Sequence, residues 1–508
     1  MTLELDGRSL TLAELAGYDA APCPTTLAPS AHEAMEASAA NVAKVLARGK
    51  AVYGINTGFG ALASERIADE DLGTLQYNLV RSHAAGIGTP LAEPIVRLMM
   101  LLKANGLASG ASGVRPALAE TLIALLNSDV IPVIPERGSV GASGDLAPLA
   151  HLALALIGEG EATCNGKQLV GVEVMRAAGL EPLVLQPKEG LALLNGTQLS
   201  TALAIAGLIR GERLLRTAIV AGALSVEALA GSHAPFDVRI HDARGQRGQI
   251  AVAQAFRTLL GESEIWYAHR DCDRVQDPYS TRCQPQVLGA AWDTLAHAAA
   301  VLEREANAAT DNPLVFEDVI ISGGNFHAEP VAMVADFLAI ALAEIGSIAE
   351  RRIDTFMRRV NPALPAFLAG KPGLESGFML AHVSAAALVS ENKTLAHPAS
   401  TDSVPTSAGQ EDHVSMGPWA GLKLLRIADN VAAILAIELA VAAAALDIQR
   451  PLKTTSALEG VYALVRKSVP PVTGDRRHDR DIAALATEIE NGSIATLLPT
   501  AAWQAPWN

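Results

Sequence analysis

Long apolar runs with the residue preferences of α-helices constrain this 508-residue chain more than any other feature. Alanine and leucine dominate these runs, whereas aromatic residues make up only 4% of the chain. Small and unbranched apolar side chains favour helices over sheets. Several runs exceed twenty residues and are apolar nearly all round, as expected for helices buried in a bundle or an oligomer interface. We predict helices over Glu93–Ala104, Pro116–Leu126, Leu146–Ile157, Gln198–Leu229, Gln286–Ala306, Pro330–Arg352, Trp419–Leu446 and Arg480–Glu490.

The composition disfavours nucleic-acid and membrane partners. A formal net charge of −15 repels phosphate backbones, and the N-terminal sequence MTLELDGRSLTLAEL has neither the basic start nor the apolar run of a signal peptide. The most apolar segment, Val431–Leu446, contains Glu438 and falls short of the ~20 residues that span a bilayer. We therefore expect a soluble cytoplasmic protein. Its cysteines lack paired spacing, as expected for free thiols in a reducing compartment: Cys23, Cys164, Cys272 and Cys283.

Between the predicted helices lie polar segments rich in glycine, asparagine, serine and proline. Loops held by a rigid scaffold commonly carry catalytic groups. Any one of these segments alone is typical of an ordinary turn, but six in one helical chain favour an active site built from several loops. They are Tyr53–Gly60, Gly138–Asp145, Asn195–Gln198, Val275–Gln286, Gly323–His327 and Ser407–His413.

The tripeptide Ala142-Ser143-Gly144 can form an electrophile from its own atoms. The glycine amide nitrogen attacks the alanine carbonyl carbon, and two waters leave, one of which takes the serine hydroxyl. The product is a methylidene-imidazolone. Glycine is needed for an unhindered amide and an unusual backbone, and serine supplies the exocyclic methylene.

Its surroundings distinguish this tripeptide from two further copies, Ala108-Ser109-Gly110 and Ala111-Ser112-Gly113, which we expect to be plain turns. It precedes Asp145, which can cap a helix, and Pro148, which a first helical turn tolerates. The serine would then lie just before a helix N-terminus, whose dipole favours negative charge developing nearby. Taken alone, this segment is explained better by a capped helix start with no chemistry.

The sequence GSVGASGDLAPLAH at residues 138–151 resembles the signature of the aromatic amino acid ammonia-lyases, the family of histidine, phenylalanine and tyrosine ammonia-lyases. Further segments resemble the other motifs of the family and follow them in the same order. They are YGINTGFG, LLNGTQ, VQDPYSTRCQPQ, TDNPLV with GGNFH, and QEDHVSMG, and they run from about Tyr53 to Gly417.

The resemblance implies a mainly α fold of the ammonia-lyase/fumarase-like type, with a central bundle of long helices and an N-terminal active-site region. We accordingly divide the chain into an N-terminal region, residues 1–195, and a helical bundle with C-terminal helices, residues 196–508. The family assembles as a homotetramer whose active sites combine residues from three subunits. The long apolar helices of this chain are compatible with such an assembly, because apolar surfaces of that size need burial.

The resemblance also implies a methylidene-imidazolone prosthetic group, formed autocatalytically by Ala142, Ser143 and Gly144, and no external cofactor. Tyr53 matches the catalytic base of the family, which must be ionised to take a proton at neutral pH. Arg282 matches the arginine that binds the substrate carboxylate, for which a planar guanidinium is well suited. The remaining matches are a second active-site tyrosine, Tyr279, and the substrate-binding residues Asn195, Gln276 and Phe326.

Two positions indicate which amino acid is the substrate. Ser82-His83 resembles the histidine enzymes, whereas the phenylalanine enzymes tend to carry Phe-Leu and the tyrosine enzymes His-Leu at this place. Glu411 stands where relatives that act on phenylalanine or tyrosine have glutamine, and its carboxylate can accept from an imidazole N–H. We therefore predict a carbon–nitrogen lyase that converts L-histidine into trans-urocanate and ammonia.

Alternatives remain inside and outside the family. A tyrosine or phenylalanine ammonia-lyase, or an aminomutase that adds ammonia back, is disfavoured by Ser82-His83 and Glu411. An inactive helical scaffold has no need of the active-site tyrosines, serine and arginine together. A metal- or nucleotide-dependent enzyme lacks support, because the sequence has neither closely spaced histidine and cysteine ligands nor a G-x-x-x-x-G-K-[ST] motif. Gly409, where many relatives carry a bulkier residue, departs from the family pattern.

Overall fold

The computed structural model describes residues 2–48, 52–62, 64–317, 319–358 and 360–507. The chain forms two compact units, each built from three separate segments of sequence. The sequence-based division into residues 1–195 and 196–508 used two continuous segments instead, and it stays a prediction. The first unit comprises Met1–Ala206, Ala299–Asp336 and Pro398–Leu422, and the second comprises Gly207–Ala298, Phe337–His397 and Lys423–Asn508.

Helices make up most of the described chain, which confirms the predicted mainly α fold. All the long helices predicted from the apolar runs are present, and their ends differ from the predicted ones by a few residues. The helices are α1 (Leu12–Ala20), α2 (Pro29–Ala47), α3 (Leu72–His83), α4 (Glu93–Ala108), α5 (Pro116–Asn127), α6 (Leu146–Leu156), α7 (Val172–Ala177), α8 (Glu189–Leu194), α9 (Gln198–Ala228), α10 (Val238–Arg244), α11 (Arg247–Leu259), α12 (Glu264–His269), α13 (Tyr279–Arg282), α14 (Gln284–Ala306), α15 (Glu329–Met357), α16 (Met379–Leu395), α17 (Gly417–Gln449), α18 (Ser456–Ser468) and α19 (His478–Glu490).

The strands are short and pair in small separate sheets. They are β1 (Leu3–Leu5), β2 (Thr25–Leu27), β3 (Ile87–Pro90), β4 (Val130–Pro132), β5 (Pro135–Arg137), β6 (Glu161–Cys164), β7 (Lys167–Val170), β8 (Leu314–Phe316) and β9 (Val319–Ile321). β1 and β2 are parallel, while β3–β5, β4–β6–β7 and β8–β9 are antiparallel. Sheets of this size cannot form a core of their own.

The first unit contains a core of short helices and two ion pairs with buried carboxylates. α4 and α5 pack together through faces that are mostly aliphatic. Pro116 begins α5, where its missing N–H costs nothing. The ion pairs join Lys188 to Asp311 and Arg115 to Glu189, each with a nitrogen–oxygen distance of 2.7 Å.

The second unit is a bundle of long helices. Small residues let the helices approach closely: a Cβ added at Gly207 on α9 would lie 2.3 Å from the Leu424 side chain on α17. At the centre of this bundle, the Arg352 guanidinium donates twice to the Glu438 carboxylate, at 2.5 and 2.8 Å, and Ser225 donates to the same carboxylate. Both charged side chains are fully buried.

Two helices, α15 and α17, are long and apolar enough by length and composition to cross a membrane. The expectation that the most apolar segment is too short to span a bilayer is therefore wrong, because Val431–Leu446 lies within the 33-residue α17. The most apolar windows of α15 and α17 are 67% and 83% buried within the fold, as is typical of core helices in proteins outside membranes.

The polar segments lie mostly between helices, as predicted. One prediction is wrong in part: Val275–Gln286 is a loop only as far as Pro278, because α13 and α14 take up Tyr279–Arg282 and the residues from Gln284 onward. A short helical turn satisfies backbone groups that an open loop would leave to water. The four cysteines are free thiols, as predicted.

Candidate active site

The segment Gly138–Asp145 is tied to the start of α9 within the first unit. The Asp145 N–H donates to the Gly196 carbonyl at 2.7 Å. The Asp145 carboxylate accepts from the N–H and the hydroxyl of Ser200, at 2.8 and 2.9 Å. The tripeptide is thereby fixed just before α6, which begins at Leu146 as the sequence predicted.

Asp145 occupies the N-cap position of α6, but its side chain does not cap that helix. The prediction of a side-chain cap is wrong because the carboxylate accepts from Ser200 instead. Burial raises the pKa of Asp145 to about 6, even though hydrogen bonds from Ser200 and Ser139 act in the opposite direction. At neutral pH this carboxylate is a buried negative charge behind the tripeptide.

Gly144 has a backbone that suits the proposed ring closure. Its φ is +75°, in the left-handed region, and a Cβ there would lie 2.2 Å from the Gly196 carbonyl oxygen. No larger residue fits without moving that backbone, so the amide nitrogen of Gly144 stays unhindered. This agrees with the chemical requirement for glycine at the third position of the tripeptide.

Ser143 is half-buried, and its hydroxyl donates to Glu411 Oε1 at 2.7 Å. The other carboxylate oxygen of Glu411 accepts from the Thr406 hydroxyl at 2.5 Å. Two residues that the sequence placed far apart are therefore in direct contact. Sequence reasoning missed Thr406, because a threonine five residues before a glutamate carries no periodic or motif signal.

Asn195 contacts the same tripeptide from the side of α8. Its Nδ2 donates to the Ser143 carbonyl oxygen at 3.2 Å, and the residue is only 4% exposed. Its Oδ1 is buried and has no hydrogen-bond partner within the described chain. A buried amide oxygen without a donor is costly, so this atom is available for an incoming N–H.

Two cavities meet at the tripeptide. The first, of about 540 Å³, has many leucines in its wall and includes Ser82 and His83. The second, of about 670 Å³, has a largely polar wall with Ala142 and Phe326. Both cavities are lined by Tyr53, Gly60, Ser143, Asn195 and Glu411. Residues from the segments around 53, 83, 143, 195, 326 and 411 are thus brought together within the first unit.

Tyr53 lines both cavities, and His83 lines the first. The Gly60 N–H donates to the Tyr53 phenol oxygen at 3.4 Å. His83 Nδ1 lies 2.8 Å from the Leu79 carbonyl oxygen, which can only accept. This contact favours the tautomer with a proton on Nδ1, in which Nε2 is an acceptor; the Ser82 hydroxyl, 3.1 Å away, contacts the same Nδ1.

The two other Ala-Ser-Gly copies line neither cavity. Ser109 donates to the Gly106 carbonyl and accepts from the Ala111 N–H, so it serves the turn after α4. Ser112 is buried, at 2% exposure. Their description as plain turns agrees with these contacts.

Gln276, Tyr279 and Arg282 belong to the second unit, where they form one cluster. The Arg282 guanidinium lies 4.6 Å from the centre of the Tyr279 ring, and its Nη2 donates to Gln276 Oε1 at 3.3 Å. Its Nε donates to the Asp277 carbonyl at 3.1 Å. Tyr279 is 72% exposed, so the cluster presents an aromatic ring and a cation to its surroundings.

Comparison with known proteins decides the family. The profile described as "Aromatic amino acid lyase" matches residues 10–467 of the chain. The chain belongs to the aromatic amino acid lyase family. The predicted family and the predicted class of enzyme, a carbon–nitrogen lyase, are both confirmed.

Individual members of the aromatic amino acid lyase family resemble the chain over nearly its whole length. A histidine ammonia-lyase from Burkholderia pseudomallei (strain 668) is 54% identical over 492 residues, which cover 96% of this chain and 97% of the relative. The crystal structure of histidine ammonia-lyase from Trypanosoma cruzi matches with a TM-score of 0.90 and 41% identity, covering 99% and 96% of the two chains. A tyrosine aminomutase from Streptomyces globisporus matches with a TM-score of 0.92 and 37% identity, covering 98% of each.

Proposed function

We propose that this chain removes ammonia from L-histidine and releases trans-urocanate. The observation that carries the proposal is the 2.7 Å hydrogen bond between Ser143 and Glu411, because it places a carboxylate beside the reactive tripeptide. His83 lies in the wall of the same cavity. The 54% identity to a histidine ammonia-lyase supports the same substrate.

The residues present fit a methylidene-imidazolone formed from Ala142, Ser143 and Gly144. The left-handed backbone of Gly144 supports ring closure. Asn195 Nδ2 already donates to the Ser143 carbonyl, the oxygen that becomes the ring oxygen. When formed, the group supplies an electrophile that takes the substrate amine and improves ammonia as a leaving group.

Glu411 and His83 are the residues that would recognise the imidazole ring. The Glu411 carboxylate can accept the imidazole N–H, and His83 presents a ring nitrogen that can hydrogen-bond the substrate ring. A phenyl ring offers neither contact and would leave the carboxylate desolvated and unpaired. Phe326, in the wall of the second cavity, would bound the site on its other side.

Tyr53 would take the β-proton of the substrate. It lines both cavities, so its phenol oxygen can reach a substrate held beside Ser143. The Gly60 N–H donates to this oxygen. Gly60 also lines both cavities, in a loop that could close over the substrate.

Arg282, Tyr279 and Gln276 would bind the substrate carboxylate and assist proton handling. Their cluster is exposed on the second unit, and we propose that it completes the active site of a neighbouring subunit in a homotetramer. An Arg guanidinium suits a carboxylate because it can donate two parallel hydrogen bonds. We expect this assembly in the cytoplasm.

The test is to incubate the purified protein separately with L-histidine, L-tyrosine and L-phenylalanine, without added cofactor, and to follow the near-ultraviolet absorbance of each acrylate product. Absorbance should rise with L-histidine alone. Ser143→Ala should abolish the rise and keep the full mass calculated from its sequence, whereas the wild-type chain should be lighter by two waters. Chromatography for β-amino acids would reveal an aminomutase.

Gly144→Ala and Gly166→Ala form a matched pair for the same assay. Both glycines have φ near +75°, but only at Gly144 would a Cβ collide with backbone, whereas nothing lies within 4 Å at Gly166. Gly144→Ala should lose the mass deficit and the activity, and Gly166→Ala should keep both. A rise with tyrosine or phenylalanine would contradict the substrate, and no rise with any substrate would contradict the enzyme.

A further inference from the structure

Lys103 is a buried cation that the proposed mechanism does not use. It lies on α4 in the first unit, is 2% exposed, and lines neither cavity. Its ammonium group donates to the Asn195 carbonyl oxygen at 2.7 Å. An ammonium group can donate three hydrogen bonds. Burying it costs desolvation free energy, which a hydrogen bond to one carbonyl does not offset.

The carboxylates around Lys103 are engaged elsewhere. Asp311 Oδ2 accepts from Lys188 at 2.7 Å, and its other oxygen accepts from the Asn312 N–H. The Asp145 carboxylate accepts from Ser200. Burial lowers the pKa of Lys103 to about 8, and Lys188 acts in the same direction, while Asp311 and Asp145 raise it.

Asn195 links this cation to the reactive tripeptide. Its backbone oxygen accepts from Lys103, and its side-chain Nδ2 donates to the Ser143 carbonyl oxygen. The side-chain Oδ1 has no partner to fix the amide, so the position of Nδ2 depends on how the Asn195 backbone is held. A charge that holds this backbone therefore acts on the Ser143 oxygen indirectly, through Asn195.

We propose that Lys103 is a positioning residue for the reaction: its ammonium group holds Asn195 against the Ser143 carbonyl and balances negative charge that develops on that oxygen. The proposal rests on the proposed function, in which the Ser143 oxygen belongs to the electrophile. Fixed charges in a water-excluded site stabilise developing charge strongly, because they need no reorganisation during the reaction.

The variants Lys103→Met and Lys103→Arg test the charge separately from the packing. Methionine has a similar length and no charge, and arginine keeps its charge at every working pH. In the unliganded wild-type protein, the near-ultraviolet band of the electrophile should move to shorter wavelength as pH rises, with a midpoint near the pKa of about 8. Lys103→Met should show the short-wavelength band at every pH, and Lys103→Arg the long-wavelength band.

Turnover gives the second measurement. Lys103→Met should lower kcat on L-histidine by roughly tenfold to a hundredfold, as removal of outer hydrogen-bond partners does in metal sites. KM should stay nearly unchanged, because Lys103 does not line the cavities. Lys103→Arg should recover most of the lost rate.

Lys423→Met is the matched control, because Lys423 is also buried and donates to a backbone carbonyl, that of His397, in the second unit. This variant should keep the wild-type titration of the band. A titration that persists in Lys103→Met would overturn the proposal, as would a wild-type kcat in that variant. If neither Lys103 variant showed the two-water mass deficit, Lys103 would be needed to form the group, and its proposed role in turnover would be overturned. Failure of the proposed function itself would appear separately, as a wild-type protein inactive on all three amino acids.

Discussion

Glu411 divides its two carboxylate oxygens between the reactive tripeptide and its own loop. Ser143 donates to Oε1 and Thr406 to Oε2. Burial alone would raise the pKa of Glu411, but hydrogen bonds from Thr406, Ser143 and Ser407, with His83 nearby, bring it below its ordinary value. Formation of the proposed methylidene-imidazolone would remove the Ser143 hydroxyl as water, in the dehydration that creates the exocyclic methylene. Oε1 would then lose that donor and could accept from the imidazole N–H of a substrate.

Glu411→Gln is expected to lower kcat on L-histidine by roughly two to three orders of magnitude, the usual effect of removing one oriented polar partner in a closed site. The loss should be constant from about pH 6 to pH 9, because a glutamate with a lowered pKa stays ionised throughout that range. Only as pH falls through this lowered pKa is the carboxylate protonated, and its contribution to the folded state is then lost too. Initial rates at saturating L-histidine across this range provide the measurement.

Asp412→Asn serves as the control for this variant, because it removes the neighbouring carboxylate, which is exposed. Its loss of rate should stay within about tenfold, because Asp412 also lines the second cavity but its carboxylate is exposed to solvent, which screens its charge. An equal loss in both variants, or a loss from Glu411→Gln that disappears at high pH, would contradict the role of Glu411 in binding the imidazole.

At the scale of elements, the sequence predicted the long helices well and the anchors of the loops poorly. Helices such as α17 are readily predicted because their apolar residues extend over many turns. Contacts such as Lys103 with Asn195, or Thr406 with Glu411, join polar atoms that follow no period along the chain. The residues of the candidate site could therefore be predicted from family motifs, whereas the residues that support them could be identified only in the three-dimensional structure.

The ion pair between α15 and α17 offers a test of how the bundle of the second unit is stabilised. Glu438→Leu leaves the Arg352 guanidinium charged and buried without its partner. The free energy of unfolding should fall by about 3–5 kcal/mol, and adding Arg352→Met should restore most of it, because an apolar pair of similar volume replaces the ions. Urea unfolding followed by circular dichroism measures both variants.

Arg426→Met provides the surface comparison, since Arg426 pairs with Glu391 at 2.6 Å while its side chain remains 65% exposed. Its effect on the free energy of unfolding should be within about 1 kcal/mol, as for exposed pairs in general. If the double variant were no more stable than Glu438→Leu alone, the lost free energy of unfolding would come from poor packing around the substituted side chain rather than from an uncompensated charge.

At the scale of the whole molecule, the residues matched to the family's active site are divided between the two compact units. Tyr53, the tripeptide and Glu411 belong to the first, and Tyr279 and Arg282 belong to the second. An exposed tyrosine ring stacked against a half-buried arginine is typical of interfaces rather than of free surface. The proposed sharing of active sites between subunits would account for this division, because one subunit would then supply the proposed base and another the proposed carboxylate-binding arginine.

Subunit mixing tests that explanation directly. Tyr53→Phe and Arg282→Met should each be nearly inactive when expressed alone, since one lacks the proposed base and the other the proposed carboxylate contact. If a site takes Tyr53 and Arg282 from different subunits, random assembly of equal amounts should give about one quarter of the sites both native residues. Co-expression should therefore restore about a quarter of the wild-type rate on L-histidine, whereas the separately purified variants should gain nothing when mixed without subunit exchange. If co-expressed oligomers of normal size regained no activity on L-histidine, both residues would act within one chain.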